Sequence, residues 1–78
     1  MPKLPHPSAE EVIKLLKKSG FFIVGRKGSH IRLKRKDKNE TRIVIVPYHH
    51  EITPGTMHSI IRQSGIEKDE FLRKLEEL

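Results

Sequence analysis

Gly25-Arg26-Lys27-Gly28-Ser29-His30-Ile31-Arg32-Leu33-Lys34-Arg35 reads as strand, glycine turn, strand. Side chains alternate across a strand, so His30, Arg32 and Lys34 face one way and Ile31 and Leu33 the other. One face of this hairpin is cationic and the other aliphatic. Such a hairpin needs a core on one side only, and that requirement decides the fold class.

The charge of the chain is concentrated here. Arg26 to Arg42 holds eight Lys/Arg against two Asp/Glu, while the remainder holds eight of each. The whole net charge of +6 therefore sits on the hairpin and its continuation. A field focused in that way attracts a polyanion, and nucleic acid is the obvious one.

Upstream, Phe21-Phe22-Ile23-Val24 is a β-forming run that extends the first strand over residues 21 to 27. Before it, Val12, Ile13, Leu15 and Leu16 recur at helical spacing, with Lys14, Lys17 and Lys18 on the opposite side. Ser8 and Glu11 form a capping box and Gly20 a left-handed stop, which predicts a helix over about residues 9 to 19. Met1 to Pro7, with three prolines, reads as an extended leader.

Downstream, Asp37-Lys38-Asn39-Glu40 is a polar turn before a third strand over residues 41 to 46. Its Ile43-Val44-Ile45-Val46 end is too apolar for simple alternation and is expected to be central or covered on both faces. Pro47 ends the strand and Tyr48 to Ile52 is a loop. Thr53 and Pro54 suit the N-cap and first position of a helix carrying Met57, Ile60 and Ile61, with Gly65 as its stop. Glu67 to Leu78 form a last amphipathic helix with Phe71, Leu72, Leu75 and Leu78 apolar. The expected fold is α+β: α-β-β-β-α as one domain over residues 1 to 78, a three-stranded antiparallel sheet with helices on one face, and an extra C-terminal helix.

Several function classes are disfavoured. The chain has no cysteine, so disulfide frameworks and thiolate metal sites are absent. No apolar run reaches the roughly 18 residues of a membrane span, and a cytoplasmic location is expected. His49, His50 and Glu51 are adjacent rather than spaced as metal ligands, so no metal or other cofactor is expected. Gly25 and Gly28 are not followed by the Gly-Lys-Ser/Thr of a phosphate loop.

An ordered set of short stretches resembles the HicA family of toxins from toxin–antitoxin pairs. They are Ser19-Gly20-Phe21 at the end of an apolar helix, Arg26-Lys27-Gly28-Ser29-His30, Val46-Pro47, Pro54-Gly55-Thr56, and Ile60-Ile61-Arg62-Gln63-Ser64-Gly65-Ile66. The resemblance implies a fold like the double-stranded RNA-binding domain and cleavage of messenger RNA as an mRNA interferase. It also implies neutralisation by a HicB-like antitoxin. It places the family's catalytic histidine on His30, the glycine before it on Gly28, and an auxiliary histidine on His49.

The chemistry of the residues agrees with that implication. RNA carries its own nucleophile, the 2′-oxygen beside the scissile phosphate. Cleavage then needs a base, an acid and charge stabilisation. Imidazole suits the proton transfers because it titrates near neutrality. Flanking cations stabilise the added negative charge of the transition state. His30 is the expected acid or base, and His49, His50 or a water its partner. Arg26, Lys27, Gly28, Ser29, Arg32, Lys34 and Arg35 are the expected RNA contacts, directed at phosphates with little base specificity. Tyr48 is the one expected stacking platform. A non-catalytic RNA-binding module would use the same cations without His30, and a DNA- or protein-binding domain is a third reading.

Overall fold

The computed structural model describes residues 6–78. The elements run α1 (Ala9–Lys18), β1 (Phe22–Lys27), β2 (His30–Lys36), β3 (Thr41–Pro47), α2 (Pro54–Ser64) and α3 (Lys68–Glu76). This is the α-β-β-β-α order of an α+β fold, with a third helix at the C-terminal end. Most of the expected leader lies outside the described residues. His6 and Pro7 are within them, and Pro7 is no free extension. It is buried, and its carbonyl accepts the Ile52 N–H at 2.8 Å.

α1 starts as its sequence dictates. The Ser8 hydroxyl accepts the Glu11 N–H at 3.2 Å and the Glu11 carboxylate accepts the Ser8 N–H at 2.9 Å. This exchange satisfies two donors that the first turn leaves free. Val12, Leu15 and Leu16 form its buried stripe. Gly20, at φ +99°, turns the chain so that the Phe21 N–H can return to the Leu16 carbonyl. Phe21 is therefore part of the helix exit, and β1 begins one residue later.

The sheet is antiparallel in the order β1-β2-β3. β2, the most cationic strand, is the central one. Its Ile31 and Leu33 are buried with Val44 and Val46 of β3 against Val12, Leu15, Leu16, Met57, Ile60 and Phe71 of the helices. The helices cover that face only. Lys27, His30, Arg32, Lys34 and Lys36 stand on the other, with Phe22, Ile43 and Ile45 as their cross-strand neighbours.

The expectation for the end of β3 is corrected. β3 is an edge strand, and only Val44 and Val46 are buried; Ile45 is 40% exposed on the open face. The outer edge of β3 meets a side chain of α2 at one point and no fourth strand among the described residues. The Ile45 N–H donates to Gln63 Oε1 of α2 at 2.9 Å. The apolar excess of this strand thus serves two surfaces, a core and an uncovered patch.

Gly65 ends α2 at φ +74°, a conformation that a Cβ disfavours. A Cβ here would also overlap the Arg42 guanidinium. Gly65→Ala is expected to destabilise by about 1–2 kcal/mol through backbone strain alone, roughly 5–15 °C in Tm. Gly55→Ala in α2, where a Cβ meets nothing within 4 Å, should leave Tm unchanged or raise it. Thermal melts of the two variants decide; equal effects would contradict the account.

Candidate functional site

The hairpin turn sets the position of the first functional side chain. Gly28 has φ +60° and Ser29 does not share its sign, the pattern of a II′ turn with glycine first. That turn pairs Lys27 directly with His30. On the other side His30 pairs with Pro47, and the Tyr48 N–H donates to the Ser29 carbonyl at 2.6 Å. His30 is therefore at the start of the central strand, held between two neighbours, with its side chain exposed. Lys27, His30, Arg32 and Ile45 line one shallow depression on the open face. Two cations thus flank an accessible imidazole on an apolar floor.

The basic residues divide into two groups. Arg35 is opposite in phase to His30 and belongs to the helix side. Its guanidinium donates to Asp37 at 2.8 and 3.3 Å and to the Ser19 carbonyl at 3.1 Å, and it lies 4.7 Å from the centre of the Phe21 ring. Arg42 pairs with Glu40 at 2.9 Å and approaches Asp37 at 3.5 Å. The two carboxylates of the basic segment are thus taken by two arginines, of which Arg35 fastens the β2–β3 turn to the end of α1 and Arg42 lies against Gly65 at the end of α2. Arg26, Lys27, Arg32, Lys34, Lys36 and Lys38 have no carboxylate partner among the described residues. The unneutralised charge is on the hairpin and the open face. Arg35, expected among the RNA contacts, is separated from them by the phase of its strand.

Arg26 and His49 lie at the end of the sheet, away from the depression that holds His30. The Arg26 guanidinium stands 5.5 Å from the Tyr48 ring centre, and the Tyr48 hydroxyl donates to Glu10 at 2.9 Å. Glu10 accepts that hydrogen bond and repels a phenolate, which raises the Tyr48 pKa above its ordinary value and keeps it a donor. Tyr48, His49 and His50 line a separate cavity of about 120 Å³ with Ser8, Ala9 and Glu10. The structure therefore groups His30 with Lys27 and Arg32, and His49 with Tyr48 and Glu10. His6 lies 3.3 Å from Glu51, outside both groups.

Three contributors were missed by strand-by-strand reading. Phe22 and Ile45 enter the open face only through register, opposite Lys34 and Arg32. Glu10 reaches Tyr48 across 38 positions, a tertiary contact without a local signal.

Among the described residues no cluster of three or more His, Asp or Glu could hold a metal ion, and no helix is long and apolar enough to cross a membrane. No curated protein matches the chain. Residues 9–66, from the first residue of α1 to just past the Gly65 stop, match the family described as HicA toxin of bacterial toxin–antitoxin. With the expected element order in place and the match spanning three quarters of its length, this chain belongs to the HicA toxin family of bacterial toxin–antitoxin systems.

Proposed function

We propose that the toxin acts as an endoribonuclease on messenger RNA in the cytoplasm, with His30 as general acid or base, and that a HicB-like antitoxin neutralises it. The observation that carries this reading is the exposed His30 imidazole between Lys27 and Arg32 on a sheet face without carboxylates. A phosphodiester seated there has its anionic oxygens next to the two cations and its 2′-hydroxyl or 5′-oxygen within reach of the imidazole. The base removes the 2′-proton, and the 2′-oxygen attacks phosphorus. The P–O5′ bond then breaks as the acid protonates the leaving oxygen. The products are a 2′,3′-cyclic phosphate and a 5′-hydroxyl.

Lys27, Gly28, Ser29, Arg32 and Lys34 follow the phosphate backbone. Arg26, paired with Ile31, is opposite in phase to Lys27 and meets the RNA only around the hairpin end, beside Tyr48. Arg35 is assigned to the fold. His49, one short loop away, or a water supplies the second proton transfer. Because the substrate provides the nucleophile, cleavage of a labelled single-stranded RNA is expected to persist in EDTA. Products carrying a 2′,3′-cyclic phosphate support the scheme, and loss of cleavage on chelation would overturn it. RNA retained intact at every enzyme concentration would select the binding-module reading, which the same cations would also support.

A further inference from the structure

The two edges of the sheet are treated differently. The outer edge of β3 lies beside α2, whose Gln63 takes the Ile45 N–H. The outer edge of β1 has no such cover. Among the described residues the backbone of Phe22–Lys27 bonds only to β2. Its side chains are also uncovered: Phe22, Ile23 and Val24 are 50%, 45% and 46% exposed. The register skips Val24, so its peptide groups fall outside the regular pairing with β2. Proteins usually blunt a free edge with charge, proline or a covering element, because a bare one pairs with another chain. Here the apolar half of the strand carries none of these, only the bulge at Val24 interrupts it, and three large apolar residues stand in succession.

We infer that the edge of β1 is the docking strand for the antitoxin, which adds an extended segment with apolar residues opposite Phe22–Val24 and acidic residues opposite Arg26 and Lys27. The inference rests on the family's pairing of toxin with antitoxin, and it names the surface and chemistry of that partner. An edge strand's free N–H and C=O groups are matched in full only by another strand. The side chains then set the composition of that strand, apolar at one end and anionic at the other.

A second copy of this chain fits poorly. Antiparallel self-pairing along the full strand puts Phe22 opposite Lys27 and Ile23 opposite Arg26. Parallel self-pairing sets like cations side by side. Either arrangement brings two chains of net charge +6 together. An acidic segment meets neither obstacle.

The location also couples docking to the site. Lys27 at the end of β1 is the cross-strand partner of His30. Strands in a sheet lie about 4.8 Å apart, so an added strand passes roughly 10 Å from β2. Carboxylates on its open-face side reach Lys27 and compete with RNA phosphates for it.

The test uses the toxin purified with the antitoxin encoded beside it. Amide hydrogen exchange of the free toxin and the complex is compared over residues 22 to 27. Val24→Glu and Val24→Pro are assayed for antitoxin binding and, as free proteins, for RNA cleavage. Slowed exchange on β1 in the complex is expected. Loss of the Val24 N–H in Val24→Pro, and a carboxylate set against the incoming apolar segment in Val24→Glu, should each weaken binding roughly tenfold or more while RNA cleavage stays at the unmodified rate. The exchange comparison needs no variant, so it stands even if one fails to fold. A complex in which β1 exchanges as in the free toxin would overturn this docking surface and leave the ribonuclease reading intact. A free protein that sediments as a dimer with β1 already protected would assign the edge to a second copy and overturn it as well. Docking through β1 without RNA cleavage would support this inference and defeat the ribonuclease.

Discussion

His30→Ala is expected to lower the rate of RNA cleavage by roughly 10²- to 10⁴-fold, the usual contribution of one positioned acid or base. The fold should survive the change. His30 is exposed, and no hydrogen bond or ion pair holds its side chain among the described residues. A change in Tm of more than a degree or two would therefore be unexpected, and the RNA affinity at low salt should stay within a few-fold, since Lys27, Arg32 and Lys34 remain. That combination separates chemistry from binding. Equal cleavage by mutant and wild type would remove His30 from the mechanism. A matched fall in affinity and rate would make it a contact residue only. His49→Ala is the companion measurement. His49 lines a different cavity from His30, so a loss comparable to that of His30→Ala would require the loop carrying it to close over bound RNA.

The elements that could be read in advance are those whose signals are local. The capping box of Ser8 and Glu11, the Gly28 turn and the Gly65 stop each act through residues within a few positions, and each formed where its sequence placed it. The alternation in β2 was equally legible, because Ile31 and Leu33 need a core and His30, Arg32 and Lys34 do not. Thr53 was legible in part. It occupies the N-cap of α2, but its hydroxyl bonds to Thr56 Oγ1 at 3.3 Å and makes no backbone cap. The failures have a different origin. Three strands joined by short turns already put β3 at an edge, but no local signal shows that Gln63 of a later helix takes its Ile45 N–H. Nothing in a run of cations says which are neutralised. Lys34 and Arg35 are neighbours in sequence with opposite fates, since Asp37 and the Ser19 carbonyl are on the helix side. Phase along the strand distinguishes them, and it was available from the alternation that placed His30.

The family match ends at residue 66, yet the core does not. Phe71 of α3 is fully buried and heads the fully buried side chains by volume. It arrives there because α3 is aimed by its own start. The Glu67 carboxylate accepts the Glu70 N–H at 3.2 Å, and Asp69 and Glu70 place negative charge at the positive end of the helix dipole. Phe71, Leu75 and Leu78 then fall on one face, and Leu75 and Leu78 pack at the margin of the core. Leu78 meets Leu15 of α1 across a depression that Lys18, Lys74 and Glu77 rim. Phe71→Ala removes the ring and leaves a cavity, at a cost of about 3–5 kcal/mol. A domain of 78 residues has a total stability of about 4–12 kcal/mol on the usual per-residue scale. The substitution therefore takes a large share of it, with Tm lowered by about 12 °C or more. Phe71→Leu keeps most of the volume and should lose much less. Denaturant midpoints for the two variants test this. Should Phe71→Ala melt within a few degrees of the parent, α3 would be an appendage and residues 9–66 would close their own core. The expected large loss makes α3 part of the scaffold that holds β2, and hence His30, in place.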